Sequence, residues 1–126
     1  MNRTAANVMD ASAILAYVQK EPGYQDVESL LLGGTCAIST VNVAETLSKL
    51  VDRGMSPAEA REALIPLNLT IVDFDEQMAW LAAELRPLTR RVGLSIGDRA
   101  CLALAKLHKG VAHTTDRVWG GLHLPG

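Results

Sequence analysis

Four short runs of apolar and β-branched residues recur along the chain, each set apart from the next by segments of helical character. They are Asn7 to Asp10, Thr35 to Ile38, Leu69 to Val72 and Val111 to Thr115. Runs this short, bounded by glycine, proline or acidic residues, read as buried strands. Parallel neighbours in a sheet need a crossover, and a helix supplies it. Strands alternating with helices therefore imply an α/β fold with a parallel sheet covered on both faces. The 126 residues suffice for one core, so a single domain over 1–126 is expected.

The helices carry clear punctuation. Ala11 to Gln19 is stopped by Pro22-Gly23, and Tyr24 to Leu32 by Gly33-Gly34. Ser39 or Thr40 caps a helix running to Arg53, with Gly54 as its stop. Its apolar stripe is Val43, Leu47, Leu50 and Val51. Ser56-Pro57-Ala58-Glu59 is a capping box with proline at the first helical position. Asp75 caps a helix over about Gln77 to Leu88, and Ser95 caps one from Ile96 to His108. Leu122 to Leu124 reads as a short edge strand. Ile14, Leu15, Tyr17, Val18, Leu30 and Leu31 of the first two helices read mostly as core, with a groove for a partner helix as the alternative.

Composition excludes little. A formal charge of -2 gives no global attraction to nucleic acid, although a local basic patch and a bound metal can still supply contacts. Cys36 and Cys101 both sit in apolar runs and read as small buried hydrophobes in a reducing compartment. No apolar stretch approaches the roughly 18 residues of a membrane span. A cytoplasmic protein without a membrane partner is expected.

Acidic residues occupy unusual places. Asp10 and Asp116 end apolar runs, Asp98 opens an apolar helix, and Glu45 follows the run Cys36 to Ile38. A parallel sheet gathers strand ends and helix starts into one crevice. Clustered carboxylates repel each other, and a hard cation such as Mg²⁺ or Mn²⁺ relieves this. Each acid also has a plain structural reading. Asp10 can be an N-cap, Asp98 the reaching-back acid of a capping box with Ser95, and Asp116 a turn residue. Glu45 lies off the apolar stripe with Lys49 one turn on, so a surface ion pair is its simplest local role.

Four segments together carry a family resemblance. Val8-Met9-Asp10-Ala11-Ser12-Ala13 resembles the opening motif of PIN-domain ribonucleases, and Ser39-Thr40-Val41-Asn42-Val43-Ala44-Glu45 their second. The third is matched by Gly93-Leu94-Ser95-Ile96-Gly97-Asp98-Arg99-Ala100 onward to Ala105, the fourth by Thr114-Thr115-Asp116-Arg117-Val118-Trp119. The chain looks like a VapC-type toxin of a toxin–antitoxin pair. The resemblance implies a three-layer α/β/α sandwich and a Mg²⁺- or Mn²⁺-dependent endoribonuclease. It carries the catalytic acids onto Asp10, Glu45, Asp98 and Asp116, with Asp10, Asp98 and Asp116 as metal ligands. It places Thr114 beside the fourth acid. It further implies RNA as substrate, a cognate antitoxin and a homodimer. An arginine of the antitoxin paired with the acids would be the simplest block.

Other residues fit this chemistry less specifically. Ser12, Arg99, Thr114, Arg117 and Trp119 are candidate substrate contacts, Arg99 and Arg117 because each follows an acid. His108, His113 and His123 lack zinc spacing, and His113 reads as a core or sheet-edge residue. Arg86, Arg90 and Arg91 read equally as RNA contacts or a solvated helix end, and Trp80 as a packing residue. A phospho-acceptor switch would want adjacent acids after the first strand, where Ala11-Ser12 follow Asp10. An aspartyl phosphatase would want a second Asp where Ser12 stands.

Overall fold

The computed structural model describes residues 7–115. Strands β1 (Asn7–Met9), β2 (Cys36–Ser39), β3 (Thr70–Val72) and β4 (Val111–His113) form one sheet in the order β3-β2-β1-β4. Every neighbouring pair is parallel, with Val8 beside both Ala37 and Ala112, and Ile38 beside Ile71. From β1 the chain moves outward through β2 to β3, then crosses back to place β4 on the other side of β1. Strand order thus reverses at β1, and an α/β sheet opens a crevice at the carboxyl ends of such strands.

Alternation along the strands divides the core between the two faces. Val8 and Ala37 face Met78, Ala82, Leu85, Cys101 and Leu104, which belong to the segment around α5 (Glu76–Glu84) and to α7 (Ile96–His108). Met9, Cys36 and Ile38 face the opposite way, against Ala13, Ile14 and Val27 of α1 (Ala11–Gln19) and α2 (Tyr24–Leu32). A smaller cluster of Leu15, Leu50 and Ala60 ties α1 to α3 (Thr40–Asp52) and α4 (Pro57–Leu64). The result is the three-layer α/β/α arrangement expected. Ile14 and Leu15 are buried, and Tyr17, Val18, Leu30 and Leu31 pack half-buried on the core.

Two local expectations are corrected. The helix expected over Gln77 to Leu88 breaks into α5 and a short α6 (Arg86–Thr89). Pro87 lacks the N–H that would reach back one turn, and its ring crowds the preceding turn. The chain then makes a 3-10 turn at Arg90–Val92 and leaves it through Gly93 at φ 68°, which delivers Ser95 to the start of α7. In α3 the buried positions are Asn42, Thr46 and Leu50, while Val43 and Leu47 are half-buried and Val51 is exposed. This helix therefore turns a partly polar face inward, and Thr46 satisfies its hydroxyl by donating to the Asn42 carbonyl at 2.7 Å.

Candidate active site at the carboxyl ends of the strands

Asp10 leaves the tip of β1 and caps α1. One carboxyl oxygen, Oδ1, accepts from the Ala13 N–H at 2.8 Å. Ser12 Oγ stands 2.8 and 3.0 Å from the two Asp10 oxygens and 3.1 Å from Thr114 Oγ1. The same Ser12 oxygen accepts from the Thr115 N–H at 3.0 Å. The backbone N–H of Asp10 donates to the His113 carbonyl at 3.2 Å, which locks the end of β1 to the end of β4. Asp10 is only 3% exposed. Burial pushes its carboxyl above the ordinary value, bonds from Thr114, Ala13 and Ser12 pull it down, and the charge of Asp98 pushes it up again.

Asp98 stands in the first turn of α7, in a reciprocal cap. Its N–H donates to Ser95 Oγ at 3.1 Å, and its Oδ2 accepts from the Ser95 N–H at 3.0 Å. Its other oxygen has no hydrogen bond among the described residues. Capping and a site role are compatible here, because the cap aims the carboxylate at the helix start and occupies one oxygen.

Glu45 is not the surface partner of Lys49. Its Oε1 accepts from Asn42 Nδ2 at 2.9 Å, and Asn42 Nδ2 also donates to the Gly97 carbonyl at 3.0 Å. The Glu45 carboxyl lies directly on the Cα of Gly97, where any Cβ would overlap all three carboxyl atoms. The second acid thus crosses from α3 to the start of α7, one residue from Asp98.

The charges of all three acids reach one buried side chain. The Cys101 thiol is pushed well above its ordinary value, first by burial and then by the charges of Asp10, Asp98 and Glu45. Among the described residues the only ion pair is Arg53 with Glu21, at 3.0 Å, so none of the three acids pairs with a cation of those residues. Nor, among the described residues, do three acidic, His or Cys side chains already grip one point. A hard cation does not need such a cage, since Mg²⁺ keeps several waters and is held through one or two carboxylates. The donor set is all oxygen, the negative charge has no ion-pair partner among the described residues, and buried Asn42 Oδ1 is orphaned there. These residues fit a Mg²⁺ or Mn²⁺ ion.

A sequence profile of the PIN domain matches residues 8–120, nearly the whole chain. The chain belongs to the PIN domain family. No curated protein matches its sequence. Its PIN fold is shared by VapC20 of Mycobacterium tuberculosis, described as a Sarcin-Ricin loop cleaving toxin, at TM-score 0.72 and 16% identity over 93% of this chain and 96% of that one. A toxin–antitoxin complex from Klebsiella pneumoniae aligns at TM-score 0.67 and 19% identity, covering 91% of each chain. VapBC2 from Rickettsia felis, bound to a DNA fragment from its promoter, aligns at 0.65 and 23%, covering 90% of each.

Within this PIN domain the structure brings together Asp10, Glu45, Asp98, Ser12 and Thr114. Arg99 is turned elsewhere: its Nη1 donates to the Ala82 carbonyl at 3.1 Å, bracing α7 against α5. Asp116, Arg117 and Trp119 lie outside the described residues, as do His123 and the strand expected at 122–124. His113 sits on the edge strand β4 with Nε2 2.8 Å from Asn7 Oδ1, and burial lowers its basicity. Trp80 is exposed and its indole donates to Glu76 at 3.3 Å. Asn42 and Gly97 escaped the sequence reading. Their signal was an Asn three residues before Glu45 on one helix, and a Gly beside Asp98 where helix propensity disfavours it.

Proposed function

We propose that this PIN domain is a Mg²⁺- or Mn²⁺-dependent endoribonuclease and the toxin of a type II toxin–antitoxin pair. The observation that carries the reading is that the charges of Asp10, Glu45 and Asp98 all reach the buried Cys101, with no ion pair to any of the three among the described residues. Its setting supports it: similar folds are those of a Sarcin-Ricin loop cleaving toxin, of a toxin–antitoxin complex and of VapBC2. In this reading Asp10 and Asp98 hold the ion with Asp116, and Glu45 ligates it or orients the attacking water. The ion would lower the pKa of bound water and offset charge on the scissile phosphate. Ser12 and Thr114 keep the buried Asp10 carboxylate charged by bonding its anionic form. Arg117 and Trp119 contact the RNA backbone and a base, and Thr114 and Ser12 serve as further substrate contacts. Arg99 serves α7 through Ala82 rather than substrate.

The partners follow from the same reading: RNA as substrate, a cognate antitoxin, and a second copy of the chain in a homodimer. The antitoxin would silence the site by placing an arginine among the acids. No helix of the described residues is long and apolar enough to cross a membrane, and the proposed place of action is the cytoplasm. The test is expression alone and with the neighbouring open reading frame. Growth arrest by the chain alone, relieved by a co-purifying partner, is expected. A chain that cells tolerate, with no partner retained, removes the toxin assignment.

A further inference from the structure

We propose that Asn42 is the positioning residue of the site, holding Glu45 on the start of α7 by sharing one amide between the two elements. The inference rests on the metal-site reading above. Asn42 is fully buried, yet it belongs to a helix whose interior positions are usually apolar. Its Nδ2 donates to Glu45 Oε1 and to the Gly97 carbonyl at once, at 2.9 and 3.0 Å. Both partners are acceptors, so the amide has one workable orientation: reversed, Oδ1 would face two oxygens. In the orientation adopted, Oδ1 is buried without a partner among the described residues. A buried, unbonded acceptor is unfavourable, and an apolar residue of similar size would avoid it. The position keeps the donor and tolerates the orphan.

The surroundings show what the donor does. Glu45 has been brought over a glycine, onto a surface that only a residue without Cβ leaves open. The carboxylate there lies over Gly97, the residue before Asp98, and its charge reaches Cys101 together with those of Asp10 and Asp98. The like charges of Asp10 and Asp98 favour release of Glu45 toward solvent when no cation is present. The Asn42 bond opposes that drift, so the acid is in place before an ion arrives. Pre-set ligands and the groups that orient them typically govern affinity or activity by roughly 10–100-fold.

The experiment is a double-mutant cycle on the full chain, with Asn42→Ala and Glu45→Gln singly and together. Mn²⁺ affinity of the protein alone is read by electron paramagnetic resonance, and RNA cleavage by kcat and KM. Asn42→Ala should weaken Mn²⁺ binding and lower kcat by about 10-fold, with KM for RNA little changed. With Glu45→Gln already present, the same change should do almost nothing further. Asn42→Asp keeps the volume and replaces the donor by an acceptor, so it should be at least as damaging. Circular dichroism confirms that each variant is folded, and Asn42→Asp substitutes if Asn42→Ala is not. An effect of Asn42→Ala that persists undiminished beside Glu45→Gln, or no effect on Mn²⁺ affinity, overturns the proposal. If the wild type binds Mn²⁺ but cuts no RNA, the nuclease reading falls, and the Mn²⁺ cycle alone decides the role of Asn42.

Discussion

Gly97→Ala is the substitution whose sign ordinary helix rules get wrong. Gly97 lies in the first turn of α7 with helical backbone, so alanine there should stabilise by up to about 1 kcal/mol. The new methyl, however, falls on the Glu45 carboxyl, which must swing away and give up its bond from Asn42. A hydrogen bond to a charged group contributes roughly 1.5–3 kcal/mol. Glu45 is half-exposed and finds water once released, and its departure relieves repulsion by Asp98, so the lower end applies. The balance is a net loss of about 0.5–1 kcal/mol in place of a gain. Removing the obstacle restores the helix rule: in a Glu45→Ala background the same glycine replacement should stabilise by about 0.5–1 kcal/mol. Urea unfolding followed by circular dichroism, without metal, reads all four proteins. If Gly97→Ala stabilises the otherwise unchanged chain, Glu45 does not rest on Gly97 and the seat is wrong.

Other consequences are equally direct. Asp10→Asn should cut RNA cleavage on the order of 100-fold or more while keeping the α1 cap, since Asn is as good an N-cap as Asp. Because burial raises the folded-state pKa of Asp10, the folded chain binds that proton first. This group's contribution to metal-free stability should therefore improve as pH falls through the folded value toward the unfolded one. Asp10→Asn should flatten that part of the stability–pH curve, and an unchanged curve would contradict the burial argument. Ser95→Ala should cost about 1 kcal/mol by breaking the reciprocal cap that aims Asp98, measurable by the same unfolding assay. Cys36 and Cys101 are both buried with thiols pushed up, so a thiol reagent at neutral pH should label neither until the chain unfolds.

Much of the fold could be read from punctuation. The capping boxes at Ser56–Glu59 and Ser95–Asp98, the Asp75 cap and the glycine stops are local chemistry, and the strand runs between them leave few topologies. The break at Pro87 is local chemistry too, since proline cannot continue the turn before it. The acids divided differently. Asp10 and Asp98 were legible as caps, and both are caps. Glu45 was not legible on its own helix, where Lys49 is its natural neighbour. Its partner is the carbonyl side of α7, more than 50 residues away in sequence through Asn42, and helix periodicity holds no information about that contact. For the same reason α3 was assigned its apolar stripe, whereas the structure buries Asn42 and Thr46 against the site.

The central claim is that the acidic crevice cuts RNA through a divalent cation. The direct measurement is cleavage of total cellular RNA by the purified chain with Mg²⁺ or Mn²⁺, with and without chelator, beside Asp10→Asn and Asp98→Asn at matched folding, the cut ends being mapped. Discrete cuts that vanish with chelator and with either variant are predicted. Cleavage that survives chelation, or that Asp10→Asn and Asp98→Asn leave unchanged, would contradict the account.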